Sequence, residues 1–269
     1  MTRRVDIVIG GVRVGVSTAS PTFIDMLADR YAGFLAPAGH ADFIFDIDVV
    51  EPREDAPDED VRVYRDGPLW RIERGDFRAT LDPATREGRI RQSENPYSID
   101  TVLRIVHTLV LAREGGFLLH AASALRGGRA HVFTGVSGAG KTTISRLAPH
   151  DALLLSDEIS YVKREAGGYV SYGTPFSGEL ARPGENVHAP LDAIYLLAKG
   201  PRNGVEPVAA AQAARALMGN VLFFAEDEHL VRDVFAAVMD LIERVPVRRL
   251  TFTPDARAWD LIGREELAA

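Results

Sequence analysis

The feature that most constrains the fold is a glycine-rich stretch in the middle of the chain. Residues 135–142 read G-V-S-G-A-G-K-T and fit the phosphate-loop pattern G-x-x-x-x-G-K-[ST] at every fixed position. Residues 129–134 before it are typical of a β-strand, and residues 141–147 after it are typical of a helix. We therefore predict a strand, a phosphate-binding loop and a helix, with the helix N-terminus directed at the phosphates. This context disfavours the alternative, a glycine-rich turn with a chance lysine.

The residue types in this loop each suit nucleotide binding. Glycines let backbone N–H groups turn inward around an anion, which a Cβ would obstruct. Lys141 supplies a cation for the β- and γ-phosphates, and the Thr142 hydroxyl can reach a Mg²⁺ ion. The predicted cofactors are therefore ATP and Mg²⁺. The predicted nucleotide-binding residues are Gly135, Ser137, Gly138, Ala139, Gly140, Lys141, Thr142 and Thr143.

Composition limits the partners that the chain can have. Its 269 residues carry a formal net charge of −7, which argues against a general affinity for nucleic acid or for an anionic membrane. No apolar segment approaches the ~18 residues of a membrane span, and the residues after Met1 lack the apolar run of a signal peptide. Without cysteine there is no disulfide, thiol nucleophile or thiolate metal site. We expect a cytoplasmic protein.

Residues 1–95 predict a small β-rich region with one helix. Alternating residues on both sides of Gly10-Gly11 indicate a hairpin, and Ser20-Pro21 indicates the start of a helix. The acidic stretch 51–60 favours a solvated loop over a cation site. The region has no catalytic constellation, so its role could be substrate recognition, support or dimerisation into a homo-oligomer. Further strands, arranged as a meander, are expected at 42–50, 61–65, 69–73, 77–81 and near 89.

Residues 96–269 predict a second region built around the glycine loop. A strand at 117–125 turns directly into the strand before the loop, so the two can pair antiparallel, whereas strands of a parallel nucleotide-binding sheet are joined by long crossovers. The apolar stretch 152–158 follows closely and ends in Asp157 and Glu158. We therefore predict an α+β fold with an α/β-like core, in which a mixed, partly antiparallel sheet carries the P-loop. Other helices are expected at 96–113, 207–219, 228–245 and 255–262, and other strands at 159–163, 169–172, 191–198 and 248–252.

Three segments of this second region resemble the phosphoenolpyruvate carboxykinase/HPr kinase superfamily. They are L-H-A-A-S at 119–123, G-V-S-G-A-G-K-T-T at 135–143 and L-L-S-D-E at 154–158. ATP-type phosphoenolpyruvate carboxykinases have a very similar S-G-x-G-K-T-T loop with a close-following acidic cluster. HPr kinases share that loop and an acidic pair, and carry a histidine on the preceding strand at a spacing like that of His120. The likeness covers about residues 117–172 and implies a carboxykinase-like sheet and a phosphotransferase.

The resemblance also implies roles for single residues. Asp157 would be the general base and Glu158 would lie on the metal side with Thr142, although Asp157 could also meet the metal. HPr kinases carry two aspartates where this chain has Asp-Glu, which leaves that order open. His120 would touch the transferring phosphate or polarise the acceptor, or else be a packed histidine. Lys141 would stabilise the charge of the transferred group.

A turn-rich stretch, residues 172–179, follows where an acceptor could dock. Thr174 and Ser177 could bind substrate or be ordinary loop polar groups, and Arg182 is the nearest downstream arginine able to stabilise transition-state charge. The arginine- and glycine-rich signature of HPr kinases is not recognisable, which puts phosphorylation of HPr itself in doubt.

The leading hypothesis is an ATP- and Mg²⁺-dependent kinase acting on a hydroxyl of a protein, peptide or small molecule. Carboxykinase activity is a weaker hypothesis, because the additional metal-binding and substrate-binding positions of those enzymes cannot be placed. The third is a nucleotide-binding module that regulates or chaperones a partner without phosphorylating it.

Overall fold

The computed structural model describes residues 2–52 and 59–263 and has a mixed α+β fold with two sheet-rich units. Unit 1 comprises Met1–Val110 and Phe223–Val231, and unit 2 comprises Leu111–Leu222 and Arg232–Ala269. The predicted boundary near residue 95 stays a prediction. Part of the acidic stretch, residues 53–58, lies outside the described residues. None of the helices in the described ranges is long and apolar enough to cross a membrane.

Unit 1 contains an eight-stranded sheet in the order β3-β1-β2-β4-β8-β7-β6-β5. Helix α1 begins after Ser20, whose hydroxyl accepts a hydrogen bond from the Phe23 N–H at 3.2 Å, and Pro21 occupies its first turn, as predicted. The elements are β1 (Arg3–Ile9), β2 (Val12–Thr18), α1 (Pro21–Arg30), a 3-10 turn (Ala32–Phe34), β3 (Leu35–Ala36), β4 (Phe43–Val49), β5 (Arg62–Asp66), β6 (Leu69–Arg74), β7 (Phe77–Asp82), β8 (Glu87–Gln92) and α2 (Pro96–Arg113).

The predicted meander accounts for only half of this sheet. Strands β5 to β8 do pair antiparallel in sequence order, but β4 pairs parallel with both β2 and β8. Parallel pairing requires a crossover, which α1 and the segment after it provide between β2 and β4. The region is therefore a mixed sheet, and its description as a simple meander is wrong.

Unit 2 is organised around two long strands, β9 and β14. β9 pairs antiparallel with β10 across a tight turn, as predicted, while β10 pairs parallel with β14. The pairs β14–β13, β13–β12 and β12–β9 then close a circuit of five strands. The elements are β9 (Phe117–Arg126), β10 (Arg129–Thr134), α3 (Lys141–Arg146), β11 (Leu153–Ser156), β12 (Ile159–Glu165), β13 (Gly168–Tyr172), β14 (His188–Lys199), β15 (Gly204–Pro207), α4 (Ala210–Met218), β16 (Val221–Leu222), α5 (Glu228–Arg244), β17 (Val247–Phe252) and a 3-10 helix (Ala256–Leu261).

Two predicted elements of this region differ from the structure. The helix expected from residue 207 begins only at Ala210, because Gly204–Pro207 forms the edge strand β15 against β17. An edge position tolerates Pro207, which lacks an N–H for the ladder. The strand expected at 152–158 ends at Ser156, so Asp157 and Glu158 lie in a bend between β11 and β12.

An aromatic core supports the start of α3. Phe133 on β10 stacks on Tyr195 of β14 with ring centroids 5.6 Å apart and meets the edge of Trp259 at 5.4 Å. The Trp259 indole N–H donates to the Ile144 carbonyl of α3 at 2.9 Å. This short helix is thus fixed to the core by a buried hydrogen bond as well as by packing.

Candidate active site

The glycine loop, residues 135–140, connects the carboxyl end of β10 to α3. Gly138 and Gly140 have φ values of 74° and 115°, which side-chain-bearing residues rarely adopt. Among the described residues, a Cβ at Gly138 would meet nothing within 4 Å, whereas a Cβ at Gly140 would lie 2.8 Å from a ring carbon of Phe252. Conformation therefore favours glycine at both positions, and close packing also requires it at Gly140.

A cavity of about 360 Å³ opens in front of this loop. It contains nine of the residues predicted from the sequence: His120, Ser137, Gly138, Gly140, Lys141, Thr142, Thr143, Asp157 and Glu158. Two other predicted residues lie beside it: Ala139 is buried, and Gly135 accepts a hydrogen bond from the Lys141 ammonium at 3.2 Å. Three further lining residues were not predicted as site residues: Gly178, Glu179 and Lys199.

Lys141 lies among acidic groups at the first turn of α3. Burial lowers the pKa of its ammonium, and the carboxylates of Glu158 and Glu179 oppose that shift. Both carboxylates are therefore close enough to act on the lysine charge. The predicted phosphate-binding loop therefore lines the same cavity as the predicted acidic pair.

The bend after β11 directs its two acids to different partners. The buried Ser156 hydroxyl accepts hydrogen bonds from the N–H groups of Glu158 at 3.2 Å and Ile159 at 2.8 Å. The Glu158 carboxylate packs against Gly178, because a Cβ on that glycine would lie 2.9 Å from Glu158 Oε2. Glu158 is half-buried and lines the cavity.

Asp157 has a different environment. Asp157 is only 5% exposed. Oδ1 accepts a hydrogen bond from the Gly178 N–H and Oδ2 accepts one from the Leu180 N–H, both at 3.0 Å. Both carboxylate oxygens are thus bound to the backbone of the loop that follows β13.

That loop, residues 173–187, includes all of the predicted docking stretch, 172–179, except Tyr172, which ends β13. Thr174 is fully buried and its hydroxyl donates to the Ile159 carbonyl at 2.8 Å, so it supports the fold and is not available to a substrate. Ser177 is half-buried. Arg182 is exposed, pairs with Glu185 at 3.8 Å and does not line the cavity.

His120 lies on β9 and lines the cavity. Its backbone is fixed on both sides, because its N–H donates to the Asn220 carbonyl at 2.7 Å and its carbonyl accepts from the Thr134 hydroxyl at 3.0 Å. The half-buried side chain lines the cavity together with Lys141.

The cavity offers oxygen donors to a cation. Among the residues that the structure describes, no three His, Asp or Glu side chains are grouped to hold a metal by themselves. The Thr142 hydroxyl and the Glu158 and Glu179 carboxylates line the cavity, and hydroxyl and carboxylate oxygens are the ligand types that Mg²⁺ accepts, usually with several waters and substrate phosphates.

A family comparison covers this whole site. The profile described as "SynChlorMet cassette protein ScmC" matches residues 90–267, which is more than half of the chain. The chain belongs to the ScmC family. The matched region of the ScmC profile contains the glycine loop, the acidic bend and every residue lining the cavity. Its description names a cassette protein and states no activity, and a comparison with curated proteins finds no match.

Two cavity residues of this ScmC family member, Lys199 and Glu179, were not predicted because their sequence context gives little indication of a site. Lys199 ends β14, and because β14 runs parallel to β10, its carboxyl end lies at the same sheet edge as the glycine loop. That parallel pairing joins residues far apart in sequence. Glu179 lies inside the stretch recognised as turn-rich, but only the contacts of Asp157 identify it among the polar residues there.

Proposed function

We propose that this protein is an ATP- and Mg²⁺-dependent phosphotransferase that moves the γ-phosphate to a hydroxyl of a protein, peptide or small molecule. The observation that carries the proposal is the single cavity lined by the glycine loop, Lys141, Thr142 and Glu158. Phosphoryl transfer depends mainly on positioning and on neutralising charge, and this cavity holds groups suited to both.

The glycine loop is the part that would bind the nucleotide phosphates. Its positive-φ glycines suit a backbone that folds around an anion, and Lys141 lies at its end. Lys199 adds a second cation at the edge of the cavity, and we assign it to the phosphate oxygens as well. In this assignment the groups that would face the phosphates are backbone N–H donors and cations.

The oxygen donors fit Mg²⁺. We assign Thr142 and Glu158 to the metal side, because Asp157 has both carboxylate oxygens bound to backbone N–H groups. An ion held by these two residues would supply neutralisation of the phosphate charge. His120 lies in the same cavity and would hydrogen-bond the transferring phosphate or the acceptor.

The proposal includes the fold type that the resemblance implies, a P-loop on a sheet of the phosphoenolpyruvate carboxykinase type. It is supported by the antiparallel β9–β10 hairpin that leads into the loop and by the acidic bend soon after it. Both features depart from a parallel nucleotide-binding sheet.

A nucleotide-binding module without transfer is the second candidate. It is favoured by one observation, that Asp157, the base predicted from the sequence, is bound on both oxygens by the backbone. Such a protein would need the phosphate-binding groups of the cavity but no base.

Calorimetric titration with ATP, with and without Mg²⁺, tests the nucleotide site. Lys141→Ala should weaken binding about 100-fold or more, since charge-assisted contacts to several phosphate oxygens are lost. Lys163→Ala is the matched control, because this lysine also belongs to unit 2 but pairs with Glu114 away from the cavity. Unchanged binding in Lys141→Ala would contradict the phosphate-binding role.

Release of ADP, measured with a serine peptide, free serine and no added acceptor, separates the two candidates. A kinase should consume ATP faster with an acceptor and leave phosphate on it. Tight binding of Mg·ATP without turnover under any of these conditions would favour the module.

A further inference from the structure

The contacts of Asp157 single out another residue that lines the cavity, Glu179. The two N–H groups that bind the Asp157 carboxylate belong to Gly178 and Leu180, the residues directly before and after Glu179. Asp157 is almost fully buried, while Glu179 is exposed and lines the cavity. The buried acid therefore fixes the backbone of the exposed one.

The turn that contains Glu179 is held in a strained conformation. Its backbone closes through a hydrogen bond from the Ala181 N–H to the Gly178 carbonyl at 3.0 Å, and Ala181 has a φ of 49°. Residues with a side chain are disfavoured in this left-handed region. Such strain persists only where surrounding contacts over-determine it, and it is found preferentially at functional sites.

The rest of the loop is anchored on β11. The Thr174 N–H donates to the Leu155 carbonyl at 2.9 Å, and the Glu185 N–H donates to the Leu154 carbonyl at 2.8 Å. Gly184 lies so close to this strand that a Cβ would sit 1.8 Å from the Leu155 oxygen. With both ends fixed on β11 and the tip fixed by Asp157, Glu179 has a defined place at the cavity.

We propose that Glu179 is the catalytic carboxylate on the acceptor side and that Asp157 is the positioning residue that places it. This inference rests on the proposed kinase function. Glu158, which packs against Gly178 and lies nearer the bend, keeps its place on the metal side.

The proposed step is a proton-coupled phosphoryl transfer. The acceptor hydroxyl gives its proton to a Glu179 carboxylate oxygen while its own oxygen forms a bond to the γ-phosphorus. The bond between that phosphorus and the β–γ bridging oxygen breaks, and ADP leaves with the electron pair. Because the Glu179 side chain is exposed, it can then return the proton to solvent.

Three variants test the assignment: Glu179→Gln, Asp157→Asn and the matched control Glu185→Gln, which changes an exposed acid of the same loop outside the cavity. For Glu179→Gln we expect kcat to fall about 100-fold or more, the usual range for loss of a general base. KM for ATP should stay within about twofold, because the phosphate-binding groups are intact. The acid limb of the kcat–pH profile should disappear, and Glu185→Gln should change none of these.

Amide hydrogen exchange provides the readout for Asp157. In Asp157→Asn the Gly178 and Leu180 amides should exchange about tenfold faster or more, since a neutral side-chain amide offers one acceptor oxygen in place of two. The kcat should fall while the acid limb is retained, because the Glu179 carboxylate is still present. In Glu179→Gln those two amides should exchange as in the wild type.

Two results would overturn the inference. One is Glu179→Gln with kcat within about threefold of the wild type, against the 100-fold or larger loss expected for a general base. The other is Asp157→Asn that loses the acid limb while both loop amides stay protected, which would make Asp157 the base. If Asp157→Asn does not fold, Glu179→Gln decides the question, because an exposed side chain can be changed without unfolding. Wild-type protein that transfers phosphate to no acceptor would instead refute the proposed function, and the Glu179 assignment with it.

Discussion

Gly140→Ala adds one methyl group to the glycine loop at its most crowded point. The substitution has two costs. The backbone must hold an alanine at a φ of 115°, and the new Cβ would lie 2.8 Å from the ring of Phe252, which is 4% exposed. Gly138→Ala is the matched control, because its φ of 74° is also positive while the added Cβ meets nothing within 4 Å in the part of the chain that the structure describes.

Gly138→Ala measures the cost of a positive φ alone, whereas Gly140→Ala adds crowding and the larger strain of a φ further from the left-handed region. Gly138→Ala should lower the free energy of unfolding by about 1–2 kcal/mol, the cost of the left-handed conformation. Gly140→Ala should lose a further ~1–3 kcal/mol, the range for overpacking a filled core. The total for Gly140→Ala is therefore about 2–5 kcal/mol.

Tryptophan fluorescence during urea denaturation can measure the free energy of unfolding of unit 2 alone. Trp70 belongs to unit 1 and Trp259 to unit 2, and these are the two tryptophans of the chain. In a Trp70→Phe background, Trp259 reports on unit 2, and its indole N–H is bound to the helix that follows the loop. Replacing Trp70 removes a buried N–H that has no hydrogen-bond partner within residues 2–52 and 59–263.

Equal destabilisation by Gly138→Ala and Gly140→Ala, within about 0.5 kcal/mol, would refute the crowding argument. It would mean that Phe252 moves aside at no cost. If the ring is the obstacle, Phe252→Leu should cost less in the Gly140→Ala background than alone. A double-mutant cycle measures that coupling directly.

Three further substitutions test other parts of unit 2. Burial lowers the pKa of His131 below its ordinary value of 6.5, so the folded state binds that proton less readily than the unfolded state. Its contribution to the free energy of unfolding is complete above pH 6.5 and is lost as the pH falls toward the lowered pKa. In His131→Gln, the free energy of unfolding measured with urea should therefore fall less steeply on the acid side. An unchanged slope would contradict this. Ser156→Ala removes the acceptor of two backbone N–H groups in the acidic bend and should cost about 1–3 kcal/mol in urea unfolding, and an unaltered midpoint would show that other groups satisfy them. Lys199→Ala should weaken Mg·ATP binding about tenfold in calorimetry while the melting temperature stays the same, and full affinity would remove Lys199 from the phosphate site.

Local chemistry made several elements of this chain predictable. The β9–β10 hairpin follows from Gly127-Gly128, which adopt φ values of 58° and 76° between two apolar strands. Helix α1 follows from the serine–proline pair at its start, and the apolar spacing of α2 predicts its buried face. Each of these signals lies within a few residues of the structure that it determines.

Pairings between distant strands were not predictable in this way. The parallel neighbours of β4 and of β10 are separated from them by long segments, and apolar alternation does not identify a strand's partner. The edge strand at Gly204–Pro207 was mistaken for a helix start because a proline suits both positions.

In the acidic bend, too, the local feature was predictable from the sequence and the long-range contacts were not. The sequence indicates two acids close after the glycine loop, and both line the cavity. Their separate partners depend on where the loop after β13 folds back, since the Gly178 and Leu180 N–H groups bind Asp157 only in the folded chain. The roles of the acids therefore follow from tertiary contacts that adjacent residues do not encode.

The position of β14 sets the order in which this site can be completed during protein synthesis. β10 acquires its hairpin partner β9 as soon as it is made, but its other neighbour, β14, is translated much later, and β14 in turn pairs with β17 near the end of the chain. Long-range parallel pairing forms slowly, because the chain loses loop-closure entropy before the stabilising contacts are made. A chain still on the ribosome therefore carries the glycine loop on an incomplete sheet, and Lys199 can join it at the cavity only once β14 has emerged.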